Sequence, residues 1–274
     1  MAMDSSVVSV VIPCFNHGEY IREAIRSVEK CDQRAYELII VNDGSTDSHT
    51  QQVMKELEAE GYHVINQTNQ GLAAARNNGI RAGKGRYVLP LDADNLIRPA
   101  YISAGIEILD KFSDVAVVYG RPAYFGEVTH RSFDIGGEFD LFLLLRDNYI
   151  DACTVLRKSA FEECGGFDSK MPSQGYEDWD LWLTMASLGY RFYFVDEVLF
   201  DYRIRHDSMI HSAVAQNRFP KVFEYFCEKH PLFALQARVT ELELELANRD
   251  RSTILKFAKA YWSLRDAVFA RFSG

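Results

Sequence analysis

Within the first hundred residues the hydrophobic pattern switches repeatedly between a period of about two and one of about 3.6, which limits the fold more than any other feature. Val7-Val8-Ser9-Val10-Val11-Ile12 is a short, mostly β-branched run closed by Pro13, as expected of a buried strand. Gly18 to Lys30 then places Tyr20/Ile21, Ala24/Ile25 and Val28 at helical spacing. A second strand, Tyr36 to Val41, stops at the turn cluster Asn42-Asp43-Gly44-Ser45. Asp47 or Ser48 can cap the helix that carries Val53, Met54 and Leu57. Tyr62 to Ile65 reads as a third strand, Gly71 to Gly83 as an alanine-rich helix and Arg86 to Leu91 as a fourth strand. Such alternation predicts a parallel, doubly wound α/β sheet. Pro90 cannot donate to a ladder and is expected where the chain leaves the sheet.

Further on, a helix (Pro99 to Lys111) and a strand (Val115 to Tyr119) precede a glycine- and aromatic-rich stretch ending at Gly137. Ile150 to Arg205 mixes strands with a helix near Asp178 to Leu188, and from about Ser212 the pattern is wholly helical. An α/β unit over residues 7–210 and a helical extension over 211–274 are therefore expected. In the extension Leu235, Val239, Leu242 and Leu246 form a short heptad-like seam. Ile254 to Phe272 alternates apolar residues with Lys256, Lys259, Arg265 and Arg271.

Composition removes several classes. With 30 Lys+Arg against 39 Asp+Glu, net charge −9, a surface that wraps nucleic acid is not expected. The five cysteines are scattered and never form a CxxC pair, so they read as buried thiols of a cytoplasmic protein. Met1 to Ser6 lacks the basic and apolar regions of a signal peptide. No apolar run approaches the ~20 residues of a membrane span.

In parallel α/β sheets ligands bind beyond the carboxyl ends of the strands. Here those ends carry Pro13-Cys14-Phe15-Asn16, Asn42-Asp43-Gly44-Ser45 and Asp92-Ala93-Asp94-Asn95. Neither GxGxxG after the first strand nor GxxxxGK[ST] is present, so the usual phosphate cradles are missing. In an extended segment Asp92 and Asp94 would point the same way. Two converging carboxylates suit a hard cation, Mg²⁺ or Mn²⁺, shared with phosphate oxygens; alone, they could also be an acidic turn.

Four ordered segments give the pair a context: Val8 to Asn16, Glu37 to Asp47, Asn69 to Gly79 and Asp92-Ala93-Asp94. They resemble the successive motifs of the family 2 glycosyltransferases, which have the GT-A fold. Gly165-Gly166-Phe167-Asp168 and Glu177-Asp178-Trp179-Asp180 resemble that family's acceptor-side motifs, so the likeness spans about Val7 to Met209. It implies a Rossmann-like, mainly parallel mixed sheet flanked by helices, and an inverting, metal-dependent transfer from a nucleotide sugar, UDP-linked, to a glycan or lipid-linked hydroxyl. On this reading Asp43 accepts the N3–H of a uracil. Pro13 and Phe15 wall the base, while Asn16 is a nucleotide contact or a turn residue. The resemblance points Arg76 toward the nucleotide or diphosphate rather than solvent, Asp92 toward the ribose or the metal, and Asp94 toward the metal. Many relatives carry a further acid after the triplet, where this chain has Asn95.

The same resemblance makes Asp178 the base that takes the acceptor's proton, with Glu177 binding or orienting the acceptor. Both could otherwise be ordinary first-turn helix acids. Near Tyr202 to Ser208, some relatives place a metal-binding histidine. The register leaves three choices: Arg205 on the diphosphate, His206 on the metal, or His206 as a loop residue with no role. A non-catalytic nucleotide-sugar or glycan-binding module of the same fold is the competing reading. Residues 252–272 would either touch an anionic membrane surface or pack on protein, including a second copy through the C-terminal helices.

Overall fold

A computed structural model describes residues 7–32, 36–127, 136–205 and 219–247. Among them, strands β1 (Val8–Cys14), β2 (Tyr36–Asp43), β3 (His63–Gln67), β4 (Tyr87–Pro90), β5 (Leu96–Ile97), β6 (Val115–Gly126), β7 (Val155–Arg157) and β8 (Arg191–Ile204) form one sheet. Its order is β3-β2-β1-β4-β7-β6-β8-β5. β3, β2, β1 and β4 are mutually parallel, as are β6 and β8. β7 runs against β4 and β6, and β5 against β8, so the sheet is mixed rather than wholly parallel.

The helices are α1 (Gly18–Glu29), α2 (Ser48–Ala59), α3 (Leu72–Ala82), α4 (Ala100–Lys111), α5 (Leu141–Leu144), α6 (Lys158–Glu163), α7 (Glu177–Ser187), α8 (Phe219–Lys229) and α9 (Pro231–Ala247). β1 is buried throughout because helices cover both faces. Val8, Val10 and Ile12 join a core with Ile21, Ile25 and Val28 of α1, Met54 and Leu57 of α2 and Leu109 of α4. The opposite face carries α3, which lies so close that a Cβ on Gly79 would come 2.3 Å from Val11 Cγ1 and 2.9 Å from Val41 Cγ2. Asp47 caps α2 by accepting from Thr50 N at 2.8 Å.

The first strand–helix units follow the sequence pattern to within a few residues, and Pro90 is the last residue of β4. β6 does not stop at Tyr119. It runs on to Gly126 because β8 pairs with it along its length, with register shifts on either side of Arg121. Long-range pairing there overrides the local breakers Gly120 and Pro122.

The chain divides into two compact units, Met1–Phe226 and Cys227–Gly274. In the second, α9 exposes Leu235, Val239 and Leu242 of the expected seam. The side chain of Leu246 and all of 252–272 lie outside the described residues. None of the described helices is long and apolar enough to cross a membrane.

Candidate active site

The ends of β1, β2 and β4 open into a cavity of about 380 Å³. Pro13, Cys14 and Phe15 line it from β1, Asp43 from β2, and Asp92 and Asp94 from the loop after β4. Glu177, Asp178 and Arg205 line it as well. Asn16 is not among the lining residues. It adopts φ 57°, and its Oδ1 accepts from Thr46 N at 2.7 Å and Asp47 N at 3.1 Å, stapling the β1 loop to the β2 loop.

Asp43 is buried and already supplied with donors. Its Oδ1 accepts from Gln67 Nε2 at 2.7 Å and Gln70 N at 2.8 Å, and its Oδ2 from Gly71 N at 2.9 Å. The carboxylate thereby organises the entry to α3 and still lines the cavity.

The segment after β4 is not extended. Asn95 N donates back to Asp92 O at 3.0 Å, closing a turn, and buried Ala93 faces the core between the two acids. Both carboxylates nevertheless line the cavity, one on each side of Ala93. Asn95 holds this turn to β8, its Oδ1 accepting from Arg203 N at 2.9 Å. Burial, and then the nearby Asp92 charge, push the Asp94 pKa up.

Arg76 is not a solvent-facing helix charge; it is 2% exposed. Nη2 donates to Asp92 Oδ1 at 2.6 Å and Nη1 to Glu177 Oε1 at 2.7 Å. Burial works against its charge, but Asp92, Glu177 and Asp178 outweigh it and hold the pKa up. Glu177 is buried too, its Oε2 accepting from Gly175 N at 2.7 Å.

Asp178, half-buried at the start of α7, has its pKa pushed up to about 8, first by burial and then by the charges of Glu177 and Asp151. Asp151 lines the same cavity on a firmly held segment. Its Oδ1 accepts from Cys153 N at 2.8 Å, Trp182 Nε1 donates to Ile150 O at 2.9 Å, and Tyr101 OH donates to Cys153 O at 2.5 Å. Trp182 is therefore fully buried core, and it ties this segment to α7, whose first turn carries Asp178.

Arg205 Nη1 lies 3.3 Å from Asp94 Oδ2 and 3.1 Å from His17 Nε2, with its guanidinium 4.8 Å from the Tyr20 ring centroid. His206 lies outside the described residues. Sequence reading missed His17 and Asp151. Each is a single polar residue in a loop, and only the adjacency of His17 to the end of β1 hints at a site.

Among the described residues no group of three or more His, Cys, Asp or Glu could hold a metal ion unaided. A Mg²⁺-type ion needs only one or two protein carboxylates when phosphate supplies further oxygens. Asp92 and Asp94 meet that requirement, and a cation would offset both the burial and the Asp92 charge that push Asp94 up.

The family profile described as "Glycosyl transferase family 2" matches residues 9–165. An uncharacterized glycosyltransferase of Rickettsia typhi is 32% identical over 224 residues, covering 78% of this chain and 67% of the relative. Two solved structures share the fold. Staphylococcus aureus TarS 1-349 in complex with UDP-GlcNAc has a TM-score of 0.59 at 20% identity, over 75% of this chain and 61% of that one. The mannosyltransferase PcManGT of Pyrobaculum calidifontis, in complex with GDP-Man and Mn²⁺, has a TM-score of 0.62 at 16% identity, over 95% of this chain and 81% of that one. With its motifs gathered at the strand ends of a GT-A sheet and the profile covering more than half its length, this chain belongs to glycosyltransferase family 2.

Proposed function

We propose that the protein moves a sugar from a nucleotide-sugar donor, UDP-linked, to a hydroxyl of a glycan or lipid-linked acceptor with inversion. Residues 7–210 would form the catalytic unit and 211–274 a helical extension whose residues 252–272 meet either an anionic membrane surface or protein. The observation that carries the reading is that Asp92, Asp94 and Asp178 line one cavity with Pro13, Phe15 and Asp43. Solved relatives of the fold hold UDP-GlcNAc or GDP-Man with Mn²⁺, which supports a nucleotide-sugar donor.

Asp94, with Asp92, would hold a divalent cation, Mn²⁺ or Mg²⁺, which when bound offsets charge on the leaving diphosphate. Pro13 and Phe15 give the base an apolar wall, and Asp43 offers a carboxylate to its ring N–H. Asp178 takes the proton of the acceptor hydroxyl as that oxygen bonds to the anomeric carbon and the carbon–phosphate-oxygen bond breaks. Arg205, which lines the cavity, would meet diphosphate oxygens once it leaves Asp94.

The test is release of UDP from UDP-sugars with Mn²⁺, repeated with Asp178→Asn. Wild type turns over, including slow hydrolysis without acceptor, whereas the variant binds UDP and releases none. Equal release by both proteins would remove Asp178 as the base. Binding without release by wild type would favour the non-catalytic module.

A further inference from the structure

Arg76 carries its charge at a position nearly closed to water, an arrangement that is costly unless the charge is met on several sides. Its two terminal nitrogens serve two different carboxylates, Asp92 at 2.6 Å and Glu177 at 2.7 Å, and its guanidinium lies 5.3 Å from the Phe167 ring centroid. One side chain on α3 thus joins the turn that bears Asp92 and Asp94 to the first residue of α7, which lies 101 positions along the chain from Arg76 itself. We infer that Arg76 is a positioning residue, a buried strut that fixes the donor-side acids against the helix start bearing Asp178, rather than a direct ligand of the nucleotide. This rests on the transferase reading above.

Three observations support the strut. Glu177 is held at both oxygens, by Arg76 and by Gly175 N, so its freedom to engage an acceptor is small and the path of the chain into Asp178 is set. Asp92 gives Oδ1 to Arg76, which leaves Oδ2 as the oxygen it can offer to a cation or a ribose hydroxyl. Arg76 Nε is buried without a hydrogen-bond partner. A guanidinium placed to satisfy all its donors would not leave one stranded, whereas one stretched between two acids can. The planar fork is what makes the span workable; a lysine brings the same charge at a single point.

The strut also balances charge. Its cation opposes the upward push that Glu177 and Asp151 exert on Asp178, so removing it would disturb the base as well as its placement. For a transfer reaction, misplacement by about 1 Å is enough to lose about 100-fold in rate.

The experiment compares Arg76→Lys, Arg76→Gln, Glu177→Gln and the Arg76→Gln/Glu177→Gln double variant. Folding is checked by circular dichroism, UDP affinity by calorimetry with Mn²⁺, and kcat and KM with a UDP-sugar. Arg76→Lys is expected to lower kcat by about 100-fold while UDP affinity and donor KM stay within about threefold. Glu177→Gln keeps the side-chain shape and cuts the same strut from the other end, so it covers the case in which the Arg76 variants do not fold. It is expected to lower kcat with the same preserved UDP affinity. In the double variant the loss should not exceed that of the worse single one, because both break one unit.

A tenfold or greater loss of UDP affinity in Arg76→Lys at unchanged kcat would overturn the strut in favour of a direct nucleotide contact. Fully additive losses in the double variant would overturn it also. Wild-type protein that releases no UDP from any nucleotide sugar would bring down the transferase reading and this inference together, a result visible before any variant is made.

Discussion

Arg205 Nη1 stands 3.3 Å from Asp94 Oδ2, so a guanidinium already occupies one oxygen of the carboxylate proposed to take a divalent cation. Both side chains are largely shielded, which strengthens the pair relative to a surface one. Cation and guanidinium therefore compete for the same negative charge. Arg205→Ala is expected to tighten Mn²⁺ binding to nucleotide-free protein by about five- to tenfold. With UDP present the gain should shrink, because the diphosphate loses a cationic partner. Electron paramagnetic resonance of free Mn²⁺ measures both, and weaker Mn²⁺ binding without nucleotide would contradict the competition.

As the proposed base, Asp178 would have to be ionised to accept a proton, and burial with Glu177 and Asp151 pushes its pKa up to about 8. Turnover at limiting substrate should therefore rise about tenfold per pH unit below that value and level off above it. Asp151→Asn removes one like charge and should move the rising limb to lower pH. A rate independent of pH between about 6 and 9 would argue against Asp178 as the titrating base.

The same shift has a thermodynamic side of opposite sign. Asp178 binds its proton more tightly folded than unfolded, where its pKa is about 3.9. Its contribution to stability is complete below that value and drains away as pH rises through about 8. Asp178→Asn cannot ionise, so the variant should melt a few degrees above wild type near pH 9, the gap closing toward pH 4, on the order of a kilocalorie or more of relief. Melting curves across this range, without metal, test the sign.

Trp182 donates to Ile150 O from a fully buried indole, one helical turn beyond Asp178. Trp182→Phe keeps most of the apolar body and strands the carbonyl, costing about 1–3 kcal/mol. Tm should fall by about 3–10 °C. Transfer should fall further than the folded fraction, since the segment carrying Asp151 loses its tie to α7; a proportional loss would show that the tie is only structural.

What could be read from the sequence was what short-range chemistry encodes. The β-branched run of β1 is buried on both faces, and its neighbours end where Asp43 and Asp92 appear. The start of α7 at Glu177 could be read from its acids. Three features could not. The turn at Asp92 to Asn95 depends on Asn95 reaching Arg203, 108 positions away. The length of β6 depends on β8 rather than on its own glycines and proline. The inward course of Arg76 depends on two acids from separate segments, whereas helical spacing alone equally allows solvent. Gly79 lies between these cases: the sequence shows a glycine in a helix, and only the contact with Val11 and Val41 shows why a methyl group would not fit.

Cys14 lines the cavity, yet burial lifts its thiol to about 12, so at physiological pH the sulfur keeps its proton. Protonated, it presents a small apolar surface, so this stretch of wall beside Pro13 and Phe15 offers a ligand shape rather than charge.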